Sequence, residues 1–225
     1  MKALVSCLIP LLLISCAAPI IQADPVPIVG PDIVTSLPAD IDTSAPHKVA
    51  HIVFHHEVNS NTVFALTTYL SMAASLGVEG IVLDLTTPGG ETEAGHDLAV
   101  AIEASPVPVV CVADHQVASM GFYILQSCAV RVMTTRTLLM AHKPSVTLNF
   151  SGDVDDIANL LERVSAVTET IAQQYCHRLN IKYTDCRNNF DHKEWWLTAG
   201  EALKVGAVDL VIENPTDFLK HLRYD

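Results

Sequence analysis

The sequence predicts an α/β domain built on a mainly parallel sheet, and three observations carry that expectation. Short runs of β-branched and apolar residues (Val49 to Phe54, Gly80 to Leu85, Val107 to Ala113) alternate with segments whose apolar residues recur at helical spacing (Asn61 to Ser75, Glu93 to Ala104). Such alternation implies parallel strands joined by right-handed crossovers. Glycine and proline punctuate the junctions, with Gly77 closing the first helix and Pro88-Gly89-Gly90 following the second strand. Bulk composition agrees: 225 residues, 50% hydrophobic and 17% charged, describe a globular chain, not a disordered or collagen-like one.

The chain begins with a segment separate from that domain. Met1 and Lys2 give a positive start to an apolar run from Ala3 to Ile14. A membrane span needs about 20 apolar residues. The shorter run here fits a secretory signal peptide over residues 1–15. It ends in Leu13-Ile14-Ser15-Cys16, which resembles a bacterial lipobox. The resemblance implies cleavage after Ser15, diacylglycerol on the Cys16 sulfur and a further acyl chain on its amine. A single chain anchors only marginally, so the second matters. An uncleaved anchor, or a plain signal peptide with a chance cysteine, is the alternative. Ala17 stands where an inner-membrane retention signal would place Asp. In a Gram-negative host the expected location is therefore the outer membrane, facing the periplasm. Residues 16–47 read as a tether, since Pro19, Pro25, Pro27, Pro31, Pro38 and Pro46 are six of the twelve prolines. The folded domain is expected over residues 48–225.

Thirteen basic against twenty-five acidic residues give a formal charge of −12. That balance argues against a nucleic-acid partner and against docking on anionic lipid through a basic patch. Of six cysteines, Cys7 leaves with the signal and Cys16 is used by lipid. Cys111, Cys128, Cys176 and Cys186 remain in an oxidising compartment, and four cysteines allow three pairings. Cys176 and Cys186 are close enough to staple a helix end to the following loop. Cys111 on a strand and Cys128 in a helix fit buried thiols equally well. Neither the cysteines nor the ten histidines have metal-ligand spacing, so no metal or other cofactor is expected.

Two strand-to-helix junctions carry candidate chemistry. At the first, Gly89-Gly90 leaves a bare backbone that a substrate can approach and whose N–H groups can face developing negative charge. At the second, Ala113 to Val117 leads into Ala118-Ser119-Met120-Gly121, ahead of a helix expected from Phe122 to Cys128. Ser119 alone reads first as a helix N-cap. As a nucleophile it needs a base, and the base needs an orienting partner. His142, ending the apolar strand Thr137 to Ala141 before Lys143-Pro144, is the candidate base. Phe190-Asp191-His192-Lys193-Glu194-Trp195-Trp196-Leu197 offers two acids, and spacing alone does not choose between them.

From about residue 48 to 212 the order of these features resembles the ClpP-type serine peptidases, of the wider crotonase-like fold. The matching pieces are Pro88-Gly89-Gly90, Ala118-Ser119-Met120-Gly121, Met140-Ala141-His142-Lys143-Pro144 and Trp196 to Ala202, continuing through Gly206-Ala207-Val208-Asp209. The resemblance implies repeated ββα units, with the helical stretch Asp153 to Arg178 as an inserted handle helix. It assigns Ser119 as nucleophile, His142 as general base, and the N–H groups of Gly90 and Met120 as oxyanion hole. The acid position falls on Glu194, with Asp191 as the fallback. Homo-oligomers and peptide or unfolded-protein substrates are implied too. An exported lipoprotein has no cytoplasmic ATPase partner, so ATP-independent cleavage in the cell envelope is expected. Three alternatives stand beside this: an acyl-CoA enzyme of the same fold, a Ser–Lys protease of the signal-peptide-peptidase kind using Lys143 or Lys182, and a catalytically silent lipoprotein scaffold.

Overall fold

The structure is a computed structural model and describes residues 48–145, 152–191 and 193–214. The expected signal peptide, Cys16 and the tether to residue 47 lie outside the described residues, as do His192 and residues 215–225.

In chain order the elements are β1 (Val49–His55), α1 (Ser60–Ser75), β2 (Gly80–Thr87), α2 (Thr92–Glu103), β3 (Val109–Ala118), α3 (Met120–Gln126), β4 (Val130–Thr134) and β5 (Leu138–Ala141). They continue with α4 (Val154–Cys176), α5 (Tyr183–Phe190), β6 (Trp195–Leu197), α6 (Ala199–Val205) and β7 (Leu210–Ile212). The sheet runs β1-β2-β3-β4-β7 with every pair parallel. β5 joins β3 in parallel, and β6 pairs antiparallel with β5. The fold is mixed α/β on a mainly parallel sheet, as the alternating pattern implies.

Local chemistry explains the boundaries. Asn59 caps α1 and forms a capping box with Thr62, and Asp153 does the same for α4 with Asp156. α6 opens on the Thr198–Glu201 box and closes on Gly206 at φ 74°. Ile81, Leu83 and Leu85 share the main core with Val109, Cys111 and Ala113 and with the buried faces of α1, α2 and α3. On the opposite sheet face Val82, Val110, Val112, Val130 and Val132 form a second cluster. Both faces are covered, which is why these strands read as continuous apolar runs.

Four elements differ from expectation. β3 continues to Ala118, five residues past Ala113, because its register against β2 shifts between Leu85 and Thr87, where His115 takes φ 57°. Before the shift β3 pairs with β4, and after it with β5, which brings the ends of β3 and β5 side by side. β4 fills a stretch that periodicity did not single out. Cys186 lies on a helix, α5, instead of a loop, and Cys128 falls just past α3.

The four cysteines pair as Cys111–Cys128 and Cys176–Cys186. The first joins β3 to the segment after α3, so these two are not free thiols. The second ties the last residue of α4 to α5. Closing loops of 17 and 10 residues by loop-entropy reasoning contributes about 3 kcal/mol each.

Candidate active site

Ser119 sits between the end of β3 and the start of α3 with φ 55° and ψ −119°. A non-glycine residue held there costs about 1–3 kcal/mol and persists only when its surroundings force it. Its N–H donates to the Met140 carbonyl (2.7 Å), fixing it to β5. Its carbonyl accepts the Tyr123 N–H (3.2 Å) and the Tyr175 hydroxyl (3.2 Å). The side chain makes no capping hydrogen bond, so the ordinary N-cap reading does not describe it. Instead Oγ lies 2.7 Å from His142 Nε2.

His142 follows β5, and the pairing Ala118↔Met140 explains why it reaches Ser119 from the neighbouring strand. The imidazole is half-buried, and burial is the dominant influence, pushing its pKa below the ordinary histidine value. The Glu194 charge and a hydrogen bond to the Lys143 backbone work the other way without reversing it. The ring is therefore neutral at pH 7, and its backbone bond favours the tautomer whose lone pair faces the serine hydroxyl. Such a pair can take the hydroxyl proton as Oγ attacks a carbonyl.

The two acids have other partners. Glu194 is exposed and accepts the Trp196 indole N–H at 2.9 Å, so it reaches His142 through charge alone. Asp191 Oδ1 lies 3.3 Å from Lys143 Nζ and 3.0 Å from Arg187 Nε, without a well-aligned hydrogen bond to either. Burial raises its carboxyl, yet the Arg187 and Lys143 cations outweigh it and hold the pKa below the usual range. The Lys143 ammonium is thus committed to Asp191. Lys182 is exposed at the N-terminal edge of α5.

The glycine turn that precedes α2 presses on the serine. A methyl group on Gly89 (φ 96°) would fall 2.7 Å from Ser119 Cβ and 3.0 Å from Met120 N. One on Gly90 (φ 151°) would fall 2.0 Å from the Val58 carbonyl oxygen. Val58 bridges this turn, donating to Gly89 O and accepting from Glu91 N–H, each at 2.8 Å. That bridge leaves out the Gly90 N–H. Met120 opens α3, so its N–H is one of the four without an intrahelical acceptor. The Met120 N–H therefore adjoins the serine, and the Gly90 N–H follows the glycine that packs on it.

The structure brings Ser119 and His142 together, and sequence reasoning did not single out Tyr175, whose hydroxyl meets the Ser119 carbonyl. Its only signal was its place on the buried stripe Ile171, Ala172, Tyr175, Cys176 of α4, which marks core as readily as a site. Among the described residues, no group of histidine, cysteine or acidic side chains could hold a metal ion.

The sequence model of the Clp protease family matches residues 40–215. ATP-dependent Clp protease proteolytic subunit 2 of Bifidobacterium longum is 31% identical over 150 residues, covering 65% of this chain and 70% of the relative. A membrane-bound protease of Pyrococcus horikoshii is 25% identical over 168 residues, covering 73% of this chain but only 37% of the relative. A ClpP1 mutant from Listeria monocytogenes, at 22% identity, superposes with a TM-score of 0.67 over 76% of this chain and 94% of its own. With most of its length matched by the family and the fold in agreement, the chain belongs to the Clp protease family and is a peptidase of that kind.

Proposed function

We propose that the protein is a serine endopeptidase of the cell envelope, working without ATP on peptides or unfolded segments. The 2.7 Å approach of Ser119 Oγ to His142 Nε2 carries this reading, at a serine held in a strained turn and excused from capping. In the reaction Oγ attacks the scissile carbonyl while His142 takes its proton. The developing oxyanion faces the Gly90 and Met120 N–H groups, and preorganised donors of that kind are usually the largest catalytic factor. His142 then protonates the leaving amine, and water hydrolyses the acyl-enzyme by the same route. Glu194 favours the imidazolium through its charge. Asp191 is less suited to that role, being paired with Lys143 and Arg187.

Envelope location rests on the N-terminal segment and is supported by two buried disulfides, which persist in oxidising compartments. Lipid at Cys16 would hold the domain to the membrane, with the proline-rich stretch as spacer. The test is hydrolysis of an unfolded protein by the purified chain without nucleotide. Turnover that disappears in Ser119→Ala is expected, and turnover that needs ATP or survives Ser119→Ala contradicts the proposal. Mass spectrometry of the mature N-terminus checks the anchor: a lipid-modified Cys16 is expected, and an unmodified or uncleaved terminus removes it.

A further inference from the structure

Tyr175 lies near the end of α4 and is 1% exposed. Its hydroxyl is 3.2 Å from the Ser119 carbonyl oxygen and 3.4 Å from that of His142. One phenolic hydrogen serves both acceptors, with the closer approach at Ser119. Resting on the serine-peptidase reading, we propose that Tyr175 is a positioning residue that aims the Met120 N–H at the substrate carbonyl oxygen.

The reason is the rigidity of one peptide unit. The Ser119 C=O and Met120 N–H belong to a single trans plane and point in opposite directions. Whatever fixes the carbonyl therefore fixes the N–H. Two donors from different elements hold this carbonyl, the Tyr123 N–H of α3 and the Tyr175 hydroxyl of α4. Together they resist the rotation that would relax the positive φ of Ser119. The approach to the His142 carbonyl ties the segment after β5 to the same anchor.

Tyr175 is itself braced. Its ring meets Phe122, Tyr123 and Phe190 edge-on, with centroids 5.2, 6.3 and 5.3 Å away. The next residue, Cys176, is bonded to Cys186 of α5. Burial raises the phenol far above the neutral range, so it remains a donor throughout. Ser127 offers a built-in comparison, because its buried hydroxyl accepts from Gln174 Nε2 of α4 at 2.7 Å and leaves the serine turn alone.

Tyr175→Phe keeps the ring contacts and removes only the donor. In the full-length protein kcat should fall about tenfold with KM within about twofold, the pattern of a misaimed transition-state contact. Ser127→Ala, which also loses one buried hydroxyl, should leave kcat unchanged. 4-Aminophenylalanine at position 175 restores a donor and should recover most of the rate, and it serves as the test if Tyr175→Phe does not fold. Unchanged kcat in Tyr175→Phe, an equal loss in Ser127→Ala, or no recovery with the amine overturns the proposal. If the wild-type protein hydrolyses nothing, the peptidase reading fails and the imidazole ¹⁵N spectrum decides this one. A His142 Nε2 signal moved by Tyr175→Phe sustains the positioning role, and superimposable spectra end it.

Discussion

At the scale of single residues, His142 is expected to set how the site responds to pH. Its folded pKa is lowered by burial, so activity should rise as pH increases through a midpoint below about 6.5, the ordinary histidine value. A pH profile of kcat/KM checks this, and a flat rate from pH 5 to 8 would remove His142 as base. The same shift acts on folding. The unfolded chain binds the proton more readily, so this contribution is present above about pH 6.5 and is lost as pH falls toward the folded pKa. Removing the Glu194 charge takes away a factor that raises the His142 pKa. Glu194→Gln should therefore move the profile to lower pH and reduce the rate about tenfold, short of the loss seen when a bonded acid is removed. Asp191→Asn should leave the rate nearly intact, and stability measurements should show a loss of about 1 kcal/mol as its partly exposed ion pairs weaken. A larger rate loss in Asp191→Asn than in Glu194→Gln would transfer the role. Spacing could not rank these acids, because the choice depends on Lys143, Arg187 and Trp196, which reach them only in the folded chain.

Among the elements, the strand ends and their turns define the site, and its glycines have no substitutes. Gly89→Ala would drive a methyl into the Ser119–Met120 turn. Active-site labelling should be lost in a protein that remains folded by circular dichroism. Helices and strands with clear periodicity, α1, β2 and α2, were legible in the chain, as was the serine–histidine pair through its flanking motifs. The extension of β3 was not, because it depends on a register shift against β2. Nor was α5, whose place is set by the Cys176–Cys186 bond and by Phe190 packing on Tyr175. Behind α3 lies a buried charge network. Arg131 is 3% exposed and pairs with Asp209, while Gln126 accepts one of its N–H groups. Asp209→Ala should cost about 3–5 kcal/mol, because it leaves a buried guanidinium uncompensated. Chemical denaturation measures it.

For the whole molecule, α4 stands out because its first four turns expose Val154, Ile157, Leu161 and Val167. Val154, Ile157 and Leu161 follow the i, i+3, i+7 spacing of one helix face, which suits pairing with a second copy. Ile157→Asp with Leu161→Asp should lower the mass seen by analytical ultracentrifugation, whereas an unchanged mass would place self-association elsewhere. The central claim concerns the activated serine and is most directly tested by fluorophosphonate labelling of the folded, full-length protein beside Ser119→Ala and His142→Ala. Labelling of the wild type that is lost in both variants is the expected result. A folded wild type that stays unlabelled, or a His142→Ala protein labelled as fast as the wild type, would contradict it.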